Sequence, residues 1–185
     1  MQVVIYSKSG DAPGFIQGSP HKINSTIISG ENQSSAMLKY MIEQHTNPVK
    51  RGMVMLHSDS TKTMVRDTGY DLDMAITIVS CHFQKSLFEG FWPIGCIGFC
   101  DHEGYPHAAG LPIKRMFEIA NLRMPSVIPF IFDQSFAIRI ELATSIPKAT
   151  YEALLTCKDS FGDLWEPCMV RIWYSLYRNS KTSFL

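Results

Sequence analysis

The chain has 185 residues, 45% of them apolar and 18% charged, a composition that buries a core and excludes a disordered tract. Seventeen basic side chains balance seventeen acidic ones, so the chain as a whole is no electrostatic magnet for nucleic acid or anionic lipid. The length suits one domain that needs no staples, and no linker, repeat or low-complexity tract divides it.

MQVVIYS at Met1–Ser7 predicts a short strand, followed by a polar Gly/Pro loop to Pro20. Lys22–Ser29, rich in β-branched residues, predicts a second strand. From Gln33 to His45 the period changes: Met37, Leu38, Met41 and Ile42 mark one face of a helix. Asn32 or Ser34 can cap it, and Asn47-Pro48 ends it. Arg51–Ser58 returns to strand, and Asp73–Cys81 is a strand with apolar residues on both sides. Phe91–Cys100 is the longest uncharged apolar stretch, half of the roughly 20 residues a membrane helix needs. It predicts a buried strand with a flexible approach, its ordered part running from Ile94 to Asp101.

Between Asp101 and Pro125 stand two His, two Gly and three Pro, the mark of a long exposed loop of functional kind. Within it Pro112–Leu122 can be helical, with Ile113, Met116, Phe117 and Ala120 on one face, or remain extended. Leu111, Ile113, Met116 and Phe117 are too apolar to leave in water without purpose. They are the candidate self-association or membrane-contact residues. Pro129–Gln134 and the alternation Phe136, Ile138, Ile140, Leu142 predict an antiparallel hairpin turning at Asp133-Gln134-Ser135. Ser145–Asp159 predicts a helix capped by Ser145, with Pro147 in its first turn and Tyr151, Leu154 and Leu155 inward. Val170–Leu176 alternates and closes the sheet. The sum is an α+β domain spanning 1–185, with residues 1–20 free to form a loose N-terminal segment. A mostly antiparallel sheet packs on two or three helices.

The opening residues lack the basic start and apolar core of a secretory signal. Five cysteines are an odd count, read as reduced thiols of the cytosol or nucleus. Cys81-His82, Cys96, Cys100, His102 and His107 are the one cluster with zinc-like residue types. On a strand, however, Cys96 and Cys100 stand about 13 Å apart, too far for a shared ion, so no metal or other cofactor is expected. No nucleophile elbow, phosphate loop or H-E-x-x-H motif is present, and a thiol–imidazole pair such as Cys81 or Cys100 with His57 or His82 has no sequence mark. No catalytic residue is assigned. After Glu166 no acidic side chain occurs. Arg171, Trp173, Tyr177, Arg178 and Lys181 are the candidate basic-aromatic surface for RNA or lipid headgroups, set against the plainer reading of a solvated strand face. Near-zero charge, ten Met and abundant aromatics favour self-association.

In order along the chain, Ser34–His45, Val49–Ser60, Cys100-Asp101 with Tyr105 and His107, and Phe130–Leu155 resemble the core of the rhabdovirus matrix proteins. The likeness covers about two thirds of the chain and rests on pattern more than identity. It implies a non-enzymatic virion protein beneath the envelope, present also in host cytoplasm and nucleus. Its partners would be further copies of itself in an open head-to-tail polymer, the nucleocapsid, the inner membrane leaflet and the glycoprotein tail. The Lys-rich arm and the P-P-x-Y motif of animal-virus members are missing, which suits a divergent member from a plant-infecting virus. A small viral or host nucleic-acid-binding or regulatory protein is the alternative.

Overall fold

A computed structural model of the chain describes residues 2–7, 24–49, 52–57, 90–132 and 134–178. The fold is α+β. Strand β1 (Gln2–Tyr6) is buried along its whole length and lies between two parallel neighbours, β2 (Asn24–Ile28) and β3 (Met53–His57). Helix α1 (Gln33–Gln44) follows β2 and precedes β3, and such a crossover is what lets two strands run the same way. Its start follows the predicted chemistry: Asn32 accepts a hydrogen bond from the Ser35 amide at 2.9 Å.

Two short strands complete the sheet in the order β2-β1-β3-β7-β4, where β4 is Phe91–Pro93 and β7 is Phe136–Ile138. Both of their pairings are antiparallel. The main sheet is therefore mixed, where a mostly antiparallel one was expected. Strand β5 (Ile97–Cys100) leaves it and pairs only with β6 (Ile128–Ile131), as a separate antiparallel ribbon. The stretch expected to be one buried strand is thus two strands in two sheets. The predicted hairpin of 129–142 does not form either, since β6 and β7 belong to different sheets. The predicted strand at Asp73–Cys81 lies outside the described residues.

Six helices occur among the described residues, more than the two or three expected. Besides α1 they are α2 (Ile113–Ile119), α3 (Ile140–Ser145), α4 (Lys148–Thr156), α5 (Lys158–Phe161) and α6 (Trp165–Arg178). The alternation of 136–142 stops at Ile138, because Arg139, in extended backbone, opens α3. Ser145 ends α3 instead of capping α4, its hydroxyl donating to the Leu142 carbonyl at 2.8 Å. Pro147 takes the N-cap of α4, whose Tyr151 and Leu154 point inward as read. The segment predicted to close the sheet, Val170–Leu176, is the middle of α6. This helix packs against β6, α2, α1 and β4. Its Trp173 and Tyr177 join Phe91 and Phe136 in one aromatic layer, ring centroids 5.4 to 6.1 Å apart.

Candidate interaction surface

The predicted contact residues Leu111, Ile113, Met116 and Phe117 are all buried. The periodicity that made them apolar neighbours forms α2, and that helix turns them toward α4 and α6 while Lys114, Arg115 and Glu118 face water. They belong to the core and cannot serve as an exposed anchor. The expected basic-aromatic surface also dissolves. Arg171, Trp173 and Tyr177 are inside, Arg178 is exposed at the end of α6, and Lys181 lies outside the described residues.

Arg171 is a cation under the ribbon. Its guanidinium sits 4.5 Å from the centre of the Phe130 ring, and Nη1 donates to the Pro167 carbonyl at 2.9 Å. Its Nε meets no hydrogen-bond partner. A cation over a desolvated ring contributes about 2 kcal/mol, which offsets part of the cost of burying the charge. Cys100 is the neighbouring thiol: burial pushes its pKa up, while Arg171 pulls it the other way. Burial also drives the Cys168 thiol up to about 12. Such thiols are poor nucleophiles.

A second constellation joins three distant parts of the chain. Ser34, in the first turn of α1, donates from Oγ to Gln134 Oε1 at 2.6 Å. The Trp173 indole N–H donates to the same oxygen at 2.7 Å, and Gln134 Nε2 donates to Glu166 Oε1 at 2.9 Å. The Ser34 amide closes the set on Glu166 at 3.1 Å, placing a carboxylate where the start of a helix favours one. Gln134 holds this post in left-handed backbone, φ 56°. Beside Glu166 opens a cleft lined also by Glu31, Asp159, Asp163 and Lys158, in which Lys158 is paired with Glu31. No sequence motif announces this network, since its members are 32 to 132 residues apart.

Among the described residues, most of the exposed large apolar side chains lie on the β5–β6 ribbon, beside it, and on the loop that leaves it. Along β5 burial alternates, so Cys100 and Gly98 turn inward while Ile97 and Phe99 face water, Phe99 at 58% exposure. Val127 precedes β6 and is also exposed. On the ribbon's other face, exposed Phe132 packs edge-on to Phe130 and His107. Gly98 admits that packing, for a Cβ there would stand 2.6 Å from Phe130 and 2.7 Å from Phe132. The loop after β5 is a built structure. Asp101 Oδ1 accepts from the amides of Glu103 and Tyr105 at 2.9 and 3.0 Å, and the Asp101 amide donates back to the Tyr105 carbonyl at 3.0 Å. Gly104 has φ +90°, and a Cβ on it would meet the Ala108 carbonyl at 2.0 Å. The result is a rigid presentation of Tyr105, 66% exposed.

Among the described residues no three His, Cys, Asp or Glu side chains stand close enough to hold a metal ion, and Cys81 and His82 lie outside them. No described helix is long and apolar enough to cross a membrane. In comparisons with known proteins, the chain matches no family model, no curated protein and no solved structure.

Proposed function

We propose that this chain is a non-enzymatic assembly protein, the matrix protein of a rhabdovirus, which self-associates and links nucleocapsid to the inner face of the envelope. The carrying observation is the set of exposed apolar side chains Ile97, Phe99, Tyr105 and Val127, borne by a ribbon and a hydrogen-bonded loop. Exposed apolar patches of this kind on ordered elements mark contact sites, and large aromatics supply most of the energy at such sites. The order of Ser34–His45, Val49–Ser60, Cys100–His107 and Phe130–Leu155 supports the matrix reading through its likeness to that family. The alternative of a nucleic-acid binder has less support, because Arg171, Trp173 and Tyr177 of its candidate surface are buried and only Arg178 of its described members is exposed.

Sedimentation from low to high salt, with and without anionic liposomes, tests the proposal. Large species at low salt and flotation with liposomes are expected, both reduced in Tyr105→Asp/Val127→Asp at unchanged melting temperature. A wild-type chain that stays monomeric at low salt and does not float refutes it.

A further inference from the structure

The hydrogen-bond phase of the ribbon defines an open edge. Pro129 has no N–H, so its pair with Phe99 is one whose main-chain groups point away from each other. The Phe132 amide donates to the Cys96 carbonyl at 3.2 Å, which fixes the same alternation. Cys96, Gly98 and Cys100 therefore bond inward to β6, and Ile97 and Phe99 turn their N–H and C=O groups outward. Among the described residues nothing meets those outward groups. The end of the edge is closed, because the Asp101 amide is taken by the Tyr105 carbonyl. The opposite edge, on β6, lacks a donor at Pro129. Of the ribbon's two edges, β5 is the one that keeps its outward donors, over two residues, and both residues carry exposed apolar side chains on one face.

We infer that the β5 edge pairs with the β5 edge of a second copy, antiparallel, about a two-fold axis through Gly98. That axis sets Ile97 opposite the partner's Phe99 and Phe99 opposite the partner's Ile97. Each pair is of the close hydrogen-bonding kind, so the contact forms roughly four main-chain hydrogen bonds. On the exposed face each places an aliphatic side chain against an aromatic one, a favourable cross-strand combination. The glycines meet at the axis, where a side chain would be most crowded. The two ribbons become one four-stranded sheet, β6-β5-β5-β6. A second copy satisfies this two-residue edge about an axis at the side-chain-free Gly98, and a closed pair of this type differs from the open head-to-tail contact. The inference rests on the reading of this surface as a contact site.

Sedimentation velocity at high salt, where larger assemblies dissolve, tests it. The wild-type chain is expected as a concentration-dependent dimer. Phe99→Lys blunts the edge with a charge, and Phe99→Pro deletes one outward N–H per copy while leaving the β5–β6 ladder whole. Each is expected to weaken the dimer by at least about tenfold at unchanged melting temperature. A wild-type monomer at every concentration, or a dimer indifferent to both changes, overturns the inference. A high-salt monomer that still assembles at low salt and floats with liposomes refutes the pairing alone. A Phe99-dependent dimer that does neither refutes the matrix reading alone.

Discussion

Replacing Gln134 with Ala removes the centre of the network that ties α1, α6 and the β6–β7 connection. Three hydrogen bonds go, to Ser34, Trp173 and Glu166, but they are not equal. Ser34 keeps Glu166 at 2.9 Å, and Glu166 keeps the Ser34 amide. The Trp173 indole N–H, with no exposure at all, keeps nothing, and an orphaned buried donor costs about 1–3 kcal/mol. With the remaining lost bonds the expected cost is about 3 kcal/mol, a fall in Tm of roughly 6–12 °C for a chain of this size. Gln134→Gly loses the same bonds, yet φ of 56° suits glycine by about 1 kcal/mol over an L-residue. The glycine variant should therefore be the more stable of the two, against the usual order. Urea unfolding at unchanged m value measures both. A loss under about 0.5 kcal/mol in the alanine variant, or a glycine variant less stable than it, refutes the account. Trp173→Phe removes the orphan, so its cost should shrink in the Gln134→Ala background.

Leu111→Ser with Met116→Ser should unfold the chain, not uncouple assembly from folding, because each puts a hydroxyl into the core at about 3 kcal/mol or more; circular dichroism melts decide it. Gly104→Ala needs a Cβ where the Ala108 carbonyl stands, and should cost about 2–3 kcal/mol and admit protease cleavage between residues 101 and 111. Above pH 10 stability should fall. Burial raises the pKa of both Tyr151 and Tyr177 above the ordinary 10.0, so the unfolded chain loses its phenolic protons first. That contribution is whole below the unfolded value and disappears as pH climbs toward the folded ones. Urea titrations at pH 8, 10 and 11 check it, and a flat profile contradicts the burial of these hydroxyls.

Elements whose signals are local were legible. The cap at Asn32, the apolar stripe of α1 and the β-branched runs of β1 and β2 each act within a few residues. Parallel pairing was not, because it depends on crossovers that carry no mark of direction. The alternation at 136–142 misled because Phe136, Ala137 and Ile138 are all buried, so its polar-out half was accidental. Helix α6 was missed although Trp165, Cys168, Met169, Ile172, Trp173, Leu176 and Tyr177 follow the 3, 4 spacing of a helix face. The shorter window from Val170 hid that rhythm. Arg171 reads as a surface cation because charge is normally solvated; the face of Phe130 and the Pro167 carbonyl hold it inside. The apolar residues of 102–125 suggest a contact surface, but α2 turns Ile113, Met116 and Phe117 inward.

The place of β7 has a consequence for synthesis. It lies between β3 and β4 in space, although both precede it in the chain. While ribosomes add the roughly 80 residues that separate His57 from Phe136, one side of β3 stays unpaired by its final neighbour. At roughly 5–20 residues per second that interval is about 4–16 s. Nascent chains therefore carry an apolar strand edge for seconds before the sheet can close, a window in which a chaperone, or a neighbouring nascent chain, competes with the native partner.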